Sequence, residues 1–343
     1  MASNYLERNR INGLRQISQI LHKKRVFLTR TLHNFALNKL KKKYQIEIHS
    51  GRIPIPKSKL LRKIKNVEGL ICFPYDKIDK ELIDAAKNLR VISTFSVGYN
   101  HIDTQYAVKK KIRVGYTPEV LTDATADLAF SLILDILRRV SEGDRIIREG
   151  RWRHIYGAYD YVGNDLQGKT LGIFGMGRIG STLARRANAF DMKIIYHNRK
   201  PISKNKEKTL RVKYVTLDKL ITQSDIISIH VPHTQDTNQL FDMKVFRKMK
   251  KTAFLVNTAR GKIVNEKDLV IALKRKIIAG AAIDVYENEP IGINHPLTKI
   301  QNVVLAPHIG SSTKETRTKM AEITIKNLEL GINLKKPIYS VSY

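Results

Sequence analysis

The sequence predicts an α/β protein built from two doubly wound parallel-sheet domains. Three observations carry this. A chain of 343 residues is too long for one ordinary core and suits two. Short apolar runs alternate with helical patterns through residues 25–117 and again through 170–308, the pattern of parallel strands covered on both faces. The second block opens on a strand that runs directly into three glycines, "LGIFGMGRIG" at 171–180.

In the first block "RVFLT" reads as a strand, 33–43 as a helix, "YQIEIHS" as a strand and 57–65 as a short helix. "GLICF" is a strand, "DKELIDAAKN" a helix, and "RVISTFSV" and "RVGYT" are strands. Thr117-Pro118 interrupts the alternation, and 122–148 then reads as one long helix. Its centre is apolar nearly all round, which predicts burial. In the second block "TLGIFG", "KIIYHN", "DIISIHV", "AFLVNTA", "AGAAIDV" and "VVLAPH" are strands. Helices are predicted at 178–190, "LDKLITQ", "KVFRKM" and 265–275, and a last one near 312–334.

Hydrophobic residues make up 42% of the chain, enough for full cores, and no apolar run reaches the length of a membrane span, so no transmembrane helix is expected. The single cysteine, Cys72, cannot form an intrachain disulfide and reads as a buried strand residue, in keeping with a reducing compartment. Lys plus Arg is 62 against 31 Asp plus Glu, a net charge of +31. That excess raises polyanion binding as a reading. The charge is spread along the whole chain, however, and neither zinc-finger spacing nor an aromatic-rich RNA-recognition signature accompanies it. A lysine-rich solvated surface that steers in anionic ligands is expected, without a nucleic-acid partner. Residues 1–24 form a basic extension: the first 25 residues hold six Lys or Arg and one acid, with Leu14, Ile17 and Leu21 at helical spacing. It reads as a surface helix or loose extension of a cytoplasmic protein, with an organelle-targeting segment as the alternative.

Gly175, Gly177 and Gly180 form G-x-G-x-x-G between a strand and a helix, with a second strand next. In that context the first glycine permits the turn, the second lets backbone approach a pyrophosphate, and the third lets helix pack on strand. A dinucleotide is therefore expected at the helix N-terminus. An NAD site ordinarily carries an acid at the end of the second strand. Here that end reads His197-Asn198-Arg199-Lys200. An uncharged Asn198 followed by two cations suits a 2′-phosphate, so NADP(H) is expected, with NAD(H) as the alternative.

Arg260, Glu289 and His308 each follow a strand of the second block, and the C-terminal strand ends of a parallel sheet face the ligand crevice. Arg260 can hold a carboxylate by a bidentate fork, His308 can exchange a proton near neutral pH, and Glu289 can orient the His308 ring and favour its protonated form. As a set they fit a keto-acid reductase.

"STFSVGYNHID", "TPEVLTDATADLAFSLILDILRR", "GKTLGIFGMGRIG", "VNTARGKIVNEKDLVIAL", "AAIDVYENEP" and "LAPHIGSST", in this order, cover most of residues 45–330. Together they resemble the D-isomer-specific 2-hydroxyacid dehydrogenase family, and within it the reductases of glyoxylate and hydroxypyruvate. The resemblance implies two Rossmann-like domains, with the cofactor domain (122–311) inserted into a flavodoxin-like substrate domain (25–121 and 312–343). It implies NAD(P)H-dependent reduction of glyoxylate to glycolate and hydroxypyruvate to D-glycerate, in a homodimer joined around the 122–148 helix. D-lactate, D-3-phosphoglycerate and a non-catalytic corepressor-like role are the alternatives. Arg260, Glu289 and His308 match the catalytic set. Val97 and Gly98 match the loop that holds the substrate carboxylate, and Ser311 follows the histidine as in the family. Arg178, Ile179 and Gly180 match pyrophosphate contacts, and Asn198, Arg199 and Lys200 the 2′-phosphate position. Pro232, Thr258, Ala259, Asp284, His308 and Gly310 match further cofactor contacts. Trp152, the only tryptophan, matches a residue that reaches the partner subunit's active site; as an ordinary aromatic it would pack at the dimer contact. No metal ligand set is expected.

Overall fold

A computed structural model describes residues 23–51 and 54–341. The basic extension assigned to 1–24 thus falls, but for its last two residues, outside the described part of the chain. The chain divides into two compact units, one running to Val120 and resuming at Lys314, the other spanning Leu121–Thr313.

The first unit carries strands β1 (Arg25–Leu28), β2 (Gln45–Ile48), β3 (Gly69–Cys72), β4 (Val91–Thr94) and β5 (Arg113–Gly115). They form one parallel sheet in the order β2-β1-β3-β4-β5, the flavodoxin-like order. Helices α1 (Asn34–Lys43), α2 (Lys57–Ile64), α3 (Lys80–Ala85) and α4 (Thr104–Lys109) connect them. β3 and β4 are buried at every position, as central strands of a two-sided sheet must be. Cys72 lies within this core, and burial pushes its thiol pKa well up. The final helix, α12 (Lys314–Ile332), packs on β3, β4 and β5. Small residues make the approach close: a Cβ on Gly69 would stand 2.8 Å from Leu328 Cδ1, and one on Gly331 would stand 2.3 Å from Val91 Cγ2. Ser93 Oγ donates to the Thr324 carbonyl at 2.8 Å across the same contact. Both ends of the described chain therefore build this unit.

The second unit carries β6 (Thr170–Phe174), β7 (Lys193–His197), β8 (Val212–Tyr214), β9 (Ile226–Ile229), β10 (Phe254–Asn257), β11 (Gly280–Ile283) and β12 (Val303–Leu305). They form a parallel sheet in the order β12-β11-β10-β9-β6-β7-β8. Strand order reverses between β6 and β9, which places the ligand crevice of a doubly wound sheet at their C-terminal ends. The helices are α5 (Thr122–Arg138), α6 (Val140–Arg148), α7 (Arg178–Asn188), α8 (Lys204–Leu210), α9 (Leu217–Gln223), α10 (Met243–Lys248) and α11 (Glu266–Lys274). α5 packs on α7 and on β10, β11 and β12, and buries Ala126, Ala129, Ile133 and Leu137 there.

The single helix expected over 122–148 is two. Arg139 breaks it with a left-handed φ of 57°. The groups freed at the break find partners outside the helix ladder. Asn164 N donates to the Leu137 carbonyl at 2.9 Å, Tyr161 Oη to the Arg139 carbonyl at 2.8 Å, and Ser141 N to Asp135 Oδ1 at 2.7 Å. The Arg139 guanidinium lies 4.0 Å over the Tyr161 ring and pairs with Glu142. The periodicity continues through the break because both helices are amphipathic; what ends the first is the 161–164 segment laid across it. Helices α4 and α8 and the three-residue β8 carry too little apolar pattern to be read from the sequence.

Candidate active site

The cofactor side is built at the β6/β9 switch point. Gly175 has φ +108°, and a Cβ there would meet the His230 backbone at 2.7 Å. A Cβ on Gly180 would stand 2.2 Å from the Gly175 carbonyl oxygen, so only glycine lets α7 start this close to β6. A Cβ on Gly177 would meet nothing within 4 Å, because it faces open space at the α7 N-terminus. These are the three separate demands of a pyrophosphate turn. A cleft of about 820 Å³ opens beside it, lined by the glycine turn, His197–Lys200, Leu217, His230–Pro232 and the 234–240 loop. Asn198, Arg199, Lys200 and Pro232 thus line one space. Arg199 and Lys200 are exposed, and Asn198 has a further part: its Oδ1 accepts from Met176 N at 2.7 Å, tying the end of β7 to the glycine turn. The buried Thr258 hydroxyl at the end of β10 has no hydrogen-bond partner among the described residues, as expected of a group that serves a ligand. The residues present therefore fit a dinucleotide.

His230, not singled out by the sequence patterns, stands on the wall of this cleft. Burial by the protein packed around the ring pushes its pKa down from 6.5 to about 4. Its Nε2 lies 2.8 Å from Ser228 Oγ. The unfolded chain takes up this proton near the ordinary value and the folded chain does not, so the contribution to stability is complete above pH 6.5 and is lost as pH falls toward 4. We expect wild type to lose about 2 kcal/mol more than a His230→Gln variant over that interval, measured by urea unfolding across pH.

On the catalytic side, His308 Nδ1 lies 2.6 Å from Glu289 Oε2, with the two side chains 25% and 13% exposed. The other carboxylate oxygen, Oε1, accepts from Tyr286 N at 2.9 Å, so Glu289 cannot swing away without losing a backbone bond. His308 has a left-handed φ of 55°, a strained conformation for a side chain of this size. Asp284 holds the turn: its oxygens accept from Ile309 N at 2.7 Å and Gly310 N at 2.9 Å. Asp284 is fully buried, and burial pushes its carboxyl pKa up. Arg260 follows β10 in a turn fixed by Asn257, whose Oδ1 accepts from Ala259 N at 3.0 Å and whose Nδ2 donates to the Arg260 carbonyl at 3.0 Å. Gly261 lies against Tyr286: a Cβ there would overlap the Tyr286 carbonyl carbon at 1.9 Å. The Arg260 turn and the segment carrying Glu289 are thus packed backbone to backbone.

Several supporting residues escaped the sequence patterns. Tyr286 Oη reaches the Ala306 carbonyl at 3.0 Å, two residues before His308. Glu287 N donates to Glu266 Oε1 at 2.6 Å and Glu266 N to Glu287 Oε1 at 3.1 Å, which clamps the same segment to the start of α11. Only Asn257 carried a signal, an amide in an otherwise apolar strand. Ser311 is half-buried beyond the His308 turn. In the first unit Gly98 N donates to Ser96 Oγ at 3.2 Å, so a carboxylate held by this amide must displace that hydroxyl. Trp152 is 55% exposed, on a stretch where Ile155 and Tyr159 are 90% and 91% exposed.

A dinucleotide cradle at the switch point and a His–Glu pair with a nearby arginine on the same sheet define a nicotinamide-dependent dehydrogenase. The chain belongs to the D-isomer specific 2-hydroxyacid dehydrogenase family, whose NAD binding domain matches residues 130–310. It is 47% identical over 305 residues to the glyoxylate reductase of Thermofilum pendens, covering 89% of this chain and 90% of that one. It is 45% identical over 311 residues to the glyoxylate reductase of Thermococcus litoralis, covering 89% and 93%. Among solved structures, a Thermus thermophilus protein superposes with a TM-score of 0.86 at 41% identity, covering 93% of this chain and all of that one. The NADPH-dependent glyoxylate/hydroxypyruvate reductase of Sinorhizobium meliloti, solved with NADP and malonate, gives 0.81 at 31% identity, covering 93% and 97%. Among the described residues no helix is long and apolar enough to cross a membrane.

Proposed function

We propose that this protein is an NADPH-dependent reductase of small 2-keto acids, converting glyoxylate to glycolate and hydroxypyruvate to D-glycerate. The observation that carries the reading is the His308–Glu289 pair at 2.6 Å. Similarity to glyoxylate reductases over 89% of the chain supports the substrate class.

The first unit serves the substrate, through the Val97 and Gly98 amides. The second holds the cofactor on Gly175–Gly180, Asn198–Lys200, Pro232, Thr258, Ala259 and Asp284. Bound there, the cofactor supplies a hydride for the keto carbon. The residues do the rest. Arg260 grips the substrate carboxylate with two parallel N–H donors and orients the carbonyl. His308 donates the Nε2 proton to the C2 oxygen as negative charge develops on it. Glu289 accepts from Nδ1, fixes the ring and balances the imidazolium before transfer. The ring is left neutral and regains a proton from solvent. Trp152 and the exposed apolar side chains near it form a homodimer contact, since a cluster this apolar is costly to leave in water.

Arg199 and Lys200 support the NADPH preference, and an NADP-bound relative is similar over 93% of this chain. The test is NADPH and NADH consumption with glyoxylate. Wild type should prefer NADPH, and Arg199→Ser should raise the KM for NADPH roughly 10- to 100-fold, the loss of one charge-assisted fork, with NADH little changed. Equal use of both cofactors by wild type would refute the preference. No turnover with either cofactor would refute the reductase.

A further inference from the structure

The first unit has a switch point of its own. In the order β2-β1-β3-β4-β5, chain direction across the sheet reverses between β1 and β3, and the crevice beyond those strand ends is where such sheets bind ligands. Three polar side chains gather there. Arg30 follows β1, His49 follows β2 and Asp76 closes the turn after β3. Each has a buried polar atom without a hydrogen-bond partner among the described residues: Arg30 Nε, His49 Nε2 and Asp76 Oδ1. Three such atoms around one crevice call for an explanation, because burying an unpaired polar group costs stability.

Their arrangement is fixed from below. Asp76 is 3% exposed. Its Oδ2 accepts from the Thr29 hydroxyl and, at 2.7 Å, from Phe73 N, which locks the Phe73–Asp76 turn. The Arg30 guanidinium lies 5.2 Å over the Tyr75 ring of that turn. The charge of Arg30 acts on Asp76, with the His49 ring close by. The guanidinium is thus stacked and held in place beside a carboxylate, and its Nε has no acceptor among the described residues.

We infer that Arg30 is the residue that reads the third carbon of the substrate, donating to a C3 hydroxyl oxygen of 2-keto acids such as hydroxypyruvate. This rests on the reductase reading above. β1 and β4 flank β3, so the loop bearing Arg30 lies about 10 Å across the sheet from the loop bearing Val97 and Gly98. An arginine side chain and a three-carbon acid together cover that span. The charge balance selects the substituent. Arg30 next to Asp76 is close to neutral as a pair, which suits an uncharged hydroxyl; a second carboxylate or a phosphate would meet Asp76 as a like charge. Glyoxylate has no third carbon and cannot use the contact.

The test compares kcat and KM for glyoxylate, hydroxypyruvate and oxaloacetate in wild type, Arg30→Met and Arg30→Lys, with NADPH or NADH. We expect Arg30→Met to lower kcat/KM for hydroxypyruvate about tenfold or more, the worth of one charged hydrogen bond, mostly through KM. Glyoxylate should stay within about twofold of wild type, which shows at once that the variant is folded and competent. Arg30→Lys should recover part of the loss. Equal changes for both substrates, or none, would overturn the assignment of Arg30 while leaving the reductase standing. So would a wild type that favours oxaloacetate over hydroxypyruvate. A wild type that reduces none of the three acids would overturn the reductase reading and this assignment with it.

Discussion

Replacing His308 with alanine should cut kcat for keto-acid reduction by about 10²- to 10⁴-fold, the usual worth of a positioned general acid. Affinity for NADPH, read by quenching of protein fluorescence, should stay within a few-fold, because the pyrophosphate turn lies on other strands. The size of the expected effect follows from the construction around the ring. His308 holds a strained backbone at φ 55°, the amides after it are tied to Asp284, and Nδ1 is held at 2.6 Å by Glu289. Glu289→Gln should keep the geometry, weaken support for the imidazolium and lose less than His308→Ala. Activity that survives His308→Ala would remove the residue from proton transfer.

Replacing Arg260 with leucine should lower kcat/KM by roughly 10²- to 10³-fold, since a charged pair to the substrate carboxylate is worth several kcal/mol once desolvated. Both kcat and KM should move: the fork binds the ground state and also aims the carbonyl at the hydride donor. Arg260→Lys should recover only part, because an ammonium keeps the charge and loses the planar fork. The change should cost little stability, on the order of 1 kcal/mol. The turn is held mainly by Asn257 and by contact of Gly261 with Tyr286, and the Arg260 side chain adds a bond from Nη1 to the Ala259 carbonyl at 2.6 Å. A leucine variant that binds and turns over substrate like wild type would show that another cation carries the carboxylate.

Much of this molecule was legible in the sequence, and the illegible parts share a physical cause. Strands such as "LGIF" and "IISI" announce themselves because a sheet covered on both faces must be apolar throughout. The glycine turn was legible because each glycine answers a separate steric demand. Arg260, Glu289 and His308 were found as residues that follow strands, and the structure brings Glu289 and His308 into one hydrogen bond. The break at Arg139 was hidden, because the groups that end α5 come from residues 161–164 and from Asp135 through tertiary contact. The parts of Tyr286 and Glu266 were hidden for the same reason: they act through backbone bonds to segments twenty residues away. Asn198, next after β7, was read as an uncharged residue at the 2′-phosphate position. Its bond to Met176 N shows that the amide also has a structural task that a charge there would perform differently.

The most direct test of the central claim is the crystal structure of the enzyme with NADP and a non-reacting analogue of hydroxypyruvate. We predict His308 Nε2 within about 3.2 Å of the oxygen on C2, with the Arg260 fork on the carboxylate. An imidazole turned away from that oxygen, with no ordered water between them, would contradict it.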